Sequence, residues 1–425
     1  MPDINEVIKA SGDVVWDEFR LVNFAGKSIN LLKMCSEINI FEDIFSNAVY
    51  GNAAVVDTHN LLNTFPIIGQ ENLFVKFHTP KMGDTFSIEF VFRVYKVSDR
   101  VVQGNKSVYM IHFTSYDAFV DTRYTENAPL KGTGDQVIKL AMDRMRNWSQ
   151  APNDVKAKLK PVTGFTPSSN TLKIIPPQWS SYQCISYAVR NSLGAGGAAD
   201  FLFYETLYGH KFARLEDLFK QPVSDTLVYD QVPPSDMIQK YAKINELSYV
   251  TVKDNLTHSI NHGYGHTVFS HNILNKTVTS RQYKKADLNK FSINGNAAFA
   301  SNDSQLTYAD DHNSMVANVY PYRHNDLTND SVGEVMLSRF PLLNKLEVFK
   351  LDLEIWGRTW LKVGDVIVVN VGKYTSALGD DKDPIDPYSS GKYLITALHH
   401  RLSLSQHKMS LQCVKDSNLK EIKSI

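Results

Sequence analysis

The chain has 425 residues, 43% hydrophobic and 21% charged, which is enough for about two to four globular domains. Its 45 Lys and Arg residues balance 45 Asp and Glu residues, and this excludes a chain-wide basic field that would gather nucleic acid or anionic lipid. Three cysteines far apart, Cys35, Cys184 and Cys413, without a CxxC pair, indicate a reducing compartment. We expect no signal peptide and no direct membrane insertion.

The first third of the chain is dominated by alternation of apolar and polar residues, which predicts β-strands. Phe74–Thr79 and Phe86–Val97 show a period near two and are rich in β-branched and aromatic residues. Ile38–Val56 predicts two further strands that turn at Tyr50-Gly51-Asn52. Together these segments indicate a β-barrel or sandwich.

The middle third has a mixed α+β pattern. Asp135–Trp148 has apolar residues at helical spacing, and Ser180–Leu193 has an apolar stripe after a serine that can cap the helix. Phe201–Thr206 and Lys211–Ala213 are strand-like segments on either side of a turn at Gly209. We therefore predict an α+β section here.

The last third begins with a loop-rich stretch, Ser259–Asp326, and continues with a predicted helix, Ser331–Arg339. In Leu346–Trp356, apolar residues then alternate with polar ones, a pattern that predicts a strand with one wetted face. The polar positions of that strand are Lys350, Asp352 and Glu354.

A short phrase occurs twice in the chain. Lys81-Met82-Gly83-Asp84 and Lys362-Val363-Gly364-Asp365 each precede strand-like runs that close on an aspartate, Asp117 and Asp416. This recurrence predicts two similar β-domains in one chain.

Several histidines and carboxylates could be proposed as metal sites. His258, His262 and His266 are four residues apart, but the glycines between them oppose the helix that would align them. Adjacent residues of a strand point to opposite faces, so the His399-His400 pair cannot chelate one ion. The acidic pairs Asp310-Asp311 and Asp380-Asp381 lack the pattern of a calcium loop. We predict no metal and no cofactor.

The best candidate for a nucleophile is Cys184, which falls in the first turn of a predicted helix, where the helix dipole would lower the thiol pKa. Its neighbours Ile185 and Tyr187 favour a packed, unreactive cysteine instead. The glycine-rich run Gly194-Ala195-Gly196-Gly197 follows a predicted helix rather than a strand. It therefore predicts the end of that helix and not a phosphate-binding loop. Because the chain also lacks a P-loop and a GxSxG elbow, we predict no catalytic residues.

The order of short segments along the chain resembles the central hub proteins of contractile phage tail baseplates, which are related to the N-terminal part of type VI secretion spikes. The resemblance covers most of the chain and rests on collinear segments: Ile44-Phe45-Ser46-Asn47, Pro66-Ile67-Ile68-Gly69, Phe203-Tyr204-Glu205-Thr206, Ser390-Gly391-Lys392-Tyr393 and Lys415-Asp416.

The resemblance implies a mainly β fold with α+β insertions, which consists of two similar tube-type β-barrel domains and two peripheral α+β domains. The corresponding division is 1–128 for the first barrel, 129–235 for an α+β domain, 236–258 with 327–425 for the second barrel, and 259–326 for a loop-rich inserted region. It further implies a homotrimer that adapts a six-fold tail tube to a three-fold spike, assembled in the host cytoplasm into the virion.

The implied partners are the tail tube or its initiator, the spike, baseplate wedge proteins and the DNA that passes through the lumen. Lys350, Asp352 and Glu354 are the candidate channel-lining residues. Two alternatives stay open: a tail-associated peptidoglycan hydrolase that uses Cys184 with a histidine, and a carbohydrate-binding β-protein.

Overall fold

A computed structural model of the chain describes residues 10–81, 83–162, 164–230, 237–252, 266–272, 276–283, 291–295, 314–320, 331–373 and 385–419. The predicted fold class, mainly β with α+β insertions, is confirmed. Within these ranges, 13 strands belong to one continuous sheet that is built from two β-units. The acidic pairs at 310–311 and 380–381 lie outside the described residues.

The first β-unit has seven strands in the spatial order β3-β4-β7-β6-β5-β1-β2. Its alternating residues place one face of each strand in a core that includes Ile40, Phe92 and Phe113. The elements are β1 (Val15–Val22), β2 (Ser28–Asn30), β3 (Cys35–Asp43), β4 (Tyr50–Asp57), α1 (Leu61–Thr64), β5 (Asn72–His78), α2 (Gly83–Phe86), β6 (Ile88–Gln103) and β7 (Lys106–Ser115).

The predicted turn at Tyr50-Gly51-Asn52 is wrong. These residues begin β4, and the turn lies in the preceding segment, 44–49. Gly51 is required there for close packing, since a Cβ atom would approach the Asn39 carbonyl oxygen to 2.3 Å and the Phe113 ring to 2.5 Å.

The middle section packs helices on two small two-stranded sheets, β8-β9 and the hairpin β10-β11, and so has the predicted α+β character. Its core contains Ile138, Met142 and Ile185. The elements are α3 (Tyr116–Asp121), β8 (Leu130–Thr133), α4 (Gly134–Ser149), α5 (Asn153–Lys156), β9 (Thr171–Ile174), α6 (Ser181–Asn191), β10 (Phe201–Thr206), β11 (Gly209–Arg214) and α7 (Leu215–Phe219). Ser180 caps α6 by accepting a hydrogen bond from the backbone N–H of Gln183, which satisfies a free donor of the first turn.

The second β-unit has the spatial order β13-β17-β20-β19-β18-β12. Its core includes Leu351, Leu394 and Leu411. The elements are β12 (Val223–Tyr229), α8 (Met237–Ala242), β13 (Ile244–Thr251), β14 (His266–Asn272), β15 (Thr277–Tyr283), β16 (Ser314–Tyr320), α9 (Ser331–Asn344), β17 (Phe349–Trp356), β18 (Val366–Val371), β19 (Gly391–Leu402) and β20 (His407–Lys415). Strands β14–β16 form a separate small sheet.

Strand β12 lies in the range 129–235 that the sequence assigned to an α+β domain, yet it pairs in parallel with β18 of the second unit. A parallel partner comes from a distant part of the chain, so local patterns do not reveal it. The division into four domains stays a proposal, and we propose that the boundary after the α+β section lies before β12.

The two units repeat the same five antiparallel strands: β3-β4-β7-β6-β5 corresponds to β13-β17-β20-β19-β18. Gly51 pairs with Phe113, and Leu351 pairs with Cys413, so equivalent residues of β4 and β17, and of β7 and β20, are 300 positions apart. One register shift also corresponds, because β6 shifts after Val94 and β19 after Ile395, whereas a second shift of β6, between Ser98 and Val101, has no counterpart in β19. A matched β-bulge supports a duplicated unit.

The Lys-x-Gly-Asp phrase does not mark equivalent positions, which corrects the sequence interpretation. The first copy precedes β6, whereas the second precedes β18, the counterpart of β5. The counterpart of Asp365 is Glu71: the carbonyl oxygen of Asp365 accepts a hydrogen bond from Ile395 N, and that of Glu71 accepts one from Val94 N. The duplication is therefore real, but the phrase recurs by coincidence.

Candidate functional site

A continuous polar face crosses both β-units on the side opposite their cores. Where β3 of the first unit pairs with β19 of the second, the sheet passes from one unit to the other. We call this surface the polar face and define it by two rows of directly opposed residues: Tyr50, Phe41, His399, Ser410, Glu354 and Glu246 in one, and Asp43, Ala397, Gln412, Asp352 and Ser248 in the other.

The contacts at the junction are specific. The Phe41 ring stacks on His399 at 4.3 Å between centroids and on Tyr50 at 5.2 Å. His399 Nε2 lies 2.7 Å from Asn39 Oδ1. Burial, followed by the nearby Arg401 charge, lowers the pKa of His399 to about 4, so this imidazole is neutral at neutral pH and can donate Nε2–H to the amide oxygen.

Lys350, Asp352 and Glu354 alternate with buried residues of β17, as predicted. Lys350 Nζ lies 2.5 Å from Glu347 Oε2, and Glu354 Oε1 accepts a hydrogen bond from Lys408 Nζ at 3.0 Å. The charges of Lys350 and Glu354 are therefore locally compensated. Asp352 is exposed and accepts a long hydrogen bond of 3.4 Å from Gln412. A channel-lining role for these three residues stays a prediction.

Cys184 lies on α6, as the sequence predicts, but its side chain is completely buried. Burial, with smaller contributions from Glu126 and Asp121, raises the pKa of the thiol to about 12. A nucleophilic cysteine needs the opposite shift and an open path to solvent. The geometry at Cys184 thus opposes the hydrolase alternative.

Of the histidines considered as metal ligands, the structure describes His266, His399 and His400. His266 begins strand β14, while His258 and His262 lie outside the described residues. His399 lies on the polar face, and His400 is buried on the opposite side with Nδ1 2.9 Å from His407 Nε2, so the two point apart as predicted. The predicted helix stop is also confirmed, because 194–197 form a turn closed by a hydrogen bond from Gly197 N to the Gly194 carbonyl.

A buried polar cluster escaped the sequence analysis. Asp117, Glu205 and His210 place one ligand-type atom each within 4.8 Å of one another. The Arg146 guanidinium contacts Asp117 through Nη2 at 2.5 Å and Nε at 3.0 Å, so a metal ion would have to displace that ion pair. Burial raises the pKa of Glu205 to about 8 and lowers that of His210 to about 4. Glu205 and His210 are directly opposed on the β10–β11 hairpin, but Asp117 is distant in the sequence, so no local pattern joins it to them.

This cluster fixes the α+β section to the first unit. Glu205 Oε2 accepts a hydrogen bond from Val49 N at 3.0 Å, and Glu205 N donates to the Ser46 carbonyl. A second buried carboxylate, Glu42, accepts hydrogen bonds from Leu207 N and Val363 N and so links the first unit to both other parts of the chain. The buried hydrogen bonds of Glu205 and Glu42 hold the α+β section and the two β-units together.

Comparison with known proteins identifies the architecture. The structure superposes on a tail protein from Neisseria meningitidis MC58 with a TM-score of 0.56 and 12% identity, covering 96% of this chain and 97% of that one. It also superposes on the 43 kDa tail protein of prophage MuSo2 from Shewanella oneidensis with a TM-score of 0.53 and 9% identity, covering 96% and 99%. The chain has a phage tail protein fold. No protein-family model and no curated protein matches the sequence.

The tail protein fold extends over nearly the whole chain, so both β-units and the α+β section belong to it. This agrees with the resemblance seen in the sequence at the level of the fold. In the described part of the chain, no helix combines the length and apolar character needed to span a membrane.

Proposed function

We propose that the chain is a structural virion protein, the central hub of a contractile tail baseplate, and that it acts as a homotrimer. The observation that carries this proposal is the duplication: one chain holds two copies of the same five-strand unit, joined side by side through β3 and β19. Three such chains supply six similar units, so a three-fold assembly can present six-fold symmetry. The fold shared with two tail proteins supports the same role.

The hub would bind the six-fold tail tube, or its initiator, on one side and the three-fold spike on the other. The repeated strands give six similar surfaces, while the unrepeated α+β section and β1 give only three. Baseplate wedge proteins are further candidate partners for the α+β section. Assembly in the host cytoplasm and incorporation into the virion follow from this role, which needs no catalysis.

We propose that the polar face lines the channel through which DNA passes. Its charges are mixed: Asp352, Glu354 and Glu246 carry negative charge, while Lys408 beside Glu354 carries positive charge. A wall without a continuous basic surface does not hold the DNA phosphates. Lys350, Asp352 and Glu354 would then belong to the wall.

The channel assignment is tested by the double variant Asp352→Lys with Glu354→Lys in the infectious particle. We expect normal particle assembly and slower genome delivery, because the added positive charges bind the passing phosphates. The matched control reverses two exposed acids of the α+β section, Asp143→Lys and Asp154→Lys, and should leave delivery unchanged. Equal delivery by both variants would contradict a lumenal polar face.

Electron microscopy of the purified protein tests the proposed hub itself. We expect end-on views of a ring with six similar lobes at the centre and three additional lobes outside. Isolated particles of a single chain, without a ring, would contradict the proposal.

A further inference from the structure

An open cavity of about 600 Å³ lies in the α+β section, where the segment after α3 meets the last turn of α4. It shares no lining residue with the polar face. Its wall includes the rings of Tyr124 and Trp148, and its rim carries polar side chains. Cavities of this size, with aromatic walls and a few polar groups, are typical of small-molecule sites.

The two aromatic rings of the cavity form a corner. The ring centroids of Tyr124 and Trp148 are 5.5 Å apart, and the ring planes are tilted by 55°. Trp148 is 52% exposed, although tryptophan is among the side chains that proteins bury most on average. An indole face without cover is a platform on which the apolar side of a ring-shaped ligand can pack.

Buried polar groups hold this corner in place. The Tyr124 hydroxyl donates a hydrogen bond to Glu126 Oε2 at 3.3 Å, and burial, followed by the Glu126 charge, raises the pKa of Tyr124 so that the hydroxyl keeps its proton. Glu126 is 1% exposed and pairs with Arg144 Nη1 at 3.0 Å, so these two charges compensate each other. The Glu126 N–H donates to the Trp179 carbonyl. A platform that is ordered before a ligand arrives lowers the cost of binding.

The rim offers hydrogen-bonding groups and one positive charge. Asn127, Asn147 and Arg123 line the cavity and are exposed. Within the described part of the chain, the side-chain amides of Asn127 and Asn147 make no hydrogen bond. Arg123 lies over the Phe119 ring at 4.9 Å and contacts no carboxylate of the described residues. The two amides can donate and accept hydrogen bonds, and the guanidinium can pair with one anionic group.

We propose that this cavity binds an acetamido pyranose that carries one carboxylate, the chemistry shared by N-acetylmuramic acid and N-acetylneuraminic acid. The C–H face of the sugar ring packs on Trp148, the acetamido group bonds to Asn127 and Asn147, and the carboxylate pairs with Arg123. Nucleic acid is a poorer match, because a single uncompensated cation cannot neutralise a run of phosphates. The site goes beyond the proposed hub function and does not depend on the trimer.

Calorimetric titration of the full chain tests the site. One probe is the disaccharide of N-acetylglucosamine and N-acetylmuramic acid, and the other is N-acetylneuraminic acid, so the two arms distinguish a cell-wall source of the sugar from another acidic glycan. We expect one bound ligand per chain for at least one probe. Trp148→Ala should weaken that binding on the order of tenfold or more, because the packing platform is lost. Phe24→Ala removes an exposed ring from the turn between β1 and β2 and should bind like the wild type.

A second variant, Arg123→Gln, separates recognition of the carboxylate from packing of the ring. It should bind the acidic probe on the order of tenfold more weakly and leave binding of the neutral N-acetylglucosamine dimer unchanged. Because Arg123 is exposed, this variant keeps the fold, which an unfolding curve checks. A wild-type chain that binds neither acidic probe, or a folded Trp148→Ala or Arg123→Gln variant that binds as tightly as the wild type, would overturn the site and leave the hub intact.

Discussion

The two β-units share their strand order but differ at one edge. In the second unit, β3 covers the end of β19, and Leu402 is buried there. In the first unit, the corresponding residue is Val102, because it pairs with Ser107 of β7 as Leu402 pairs with His407 of β20, and Val102 is largely exposed. Since the sequence keeps an apolar residue at both places, the difference lies in what covers them.

The units also differ in how their last strands end. Asp117, two residues beyond β7, is buried against Arg146. Lys415, the last residue of β20, is also buried, and its ammonium contacts the Tyr388 and Ser390 carbonyls and lies 4.6 Å from the Phe349 ring centroid. Both ends bury a carboxylate near a cation, Asp117 with Arg146 and Asp416 with Lys345 at 3.7 Å, but only the second end adds a buried lysine held by carbonyl oxygens. The two units therefore share their strand order but differ in the charged groups that they bury.

The largest expected effect on assembly comes from charging the exposed end of β6. Val102→Asp would place a carboxylate at the counterpart of Leu402, which β3 buries within the chain, and the affinity of the proposed trimer should fall on the order of 100-fold or more, because the added charge opposes burial of this edge between chains. Analytical ultracentrifugation over a concentration series measures this change. Leu404→Asp, at an exposed position of the turn after β19, is the control and should leave the trimer intact. Equal dissociation constants for Val102→Asp and the wild type would contradict the account.

The paired charge after β7 should contribute strongly to stability. Arg146→Met leaves Asp117 buried without its partner and should lower the free energy of unfolding by about 3–5 kcal/mol. Chemical denaturation followed by fluorescence measures the loss. Lys220→Met removes an exposed partner of Glu216 and should cost at most about 0.5 kcal/mol. Similar losses in the two variants would show that Asp117 is not isolated by the change.

The buried lysine at the end of β20 should make stability depend on pH. Burial lowers the pKa of Lys415 to about 7 from its ordinary value near 10.5, with Asp386 opposing the shift. Between pH 7 and 10.5 the unfolded chain binds a proton that the folded chain does not, so stability rises with pH in that window. Lys415→Met removes this rise, which is on the order of 2–4 kcal/mol across the window. A variant with the same pH slope as the wild type would contradict this assignment.

Glu205 should have the smallest effect on stability, and its pH dependence is opposite in sign to that of Lys415. Its folded pKa, about 8, lies above the ordinary value of 4.5, so the folded chain holds the extra proton and stability falls as pH rises from 4.5 to 8. Glu205→Gln mimics the protonated form and should flatten this decline, which is on the order of 2–3 kcal/mol between pH 5 and pH 8. Unfolding curves at pH 5, 6.5 and 8 provide the measurement, and an unchanged slope would exclude Glu205 as its source.

Local patterns predicted the elements well. The alternation around Phe74, Phe86 and Phe349 marks β5, β6 and β17, and Ser180 caps the predicted helix. The polar row of β17 was also visible, because a strand with one wetted face must alternate. What the row faces in the assembled protein depends on other copies of the chain.

Long-range features were not accessible from the sequence. The parallel partner of β12 and the buried contacts of Arg146 and Lys415 depend on residues far away in the chain. In a sequence, these charged side chains look like ordinary surface residues, since burial of Lys and Arg is rare. The structure has the two similar β-units that the repeated Lys-x-Gly-Asp phrase predicted, but the two copies of the phrase are not at equivalent positions. Four residues are too few to define the register of a strand.

Native mass spectrometry of the full chain at micromolar concentration tests the central claim most directly. If the chain forms the proposed trimer, the dominant species has three times the 48.0 kDa mass of the chain. Val102→Asp should then shift the spectrum toward one chain. A wild-type protein that remains at 48.0 kDa throughout the concentration range would contradict the account.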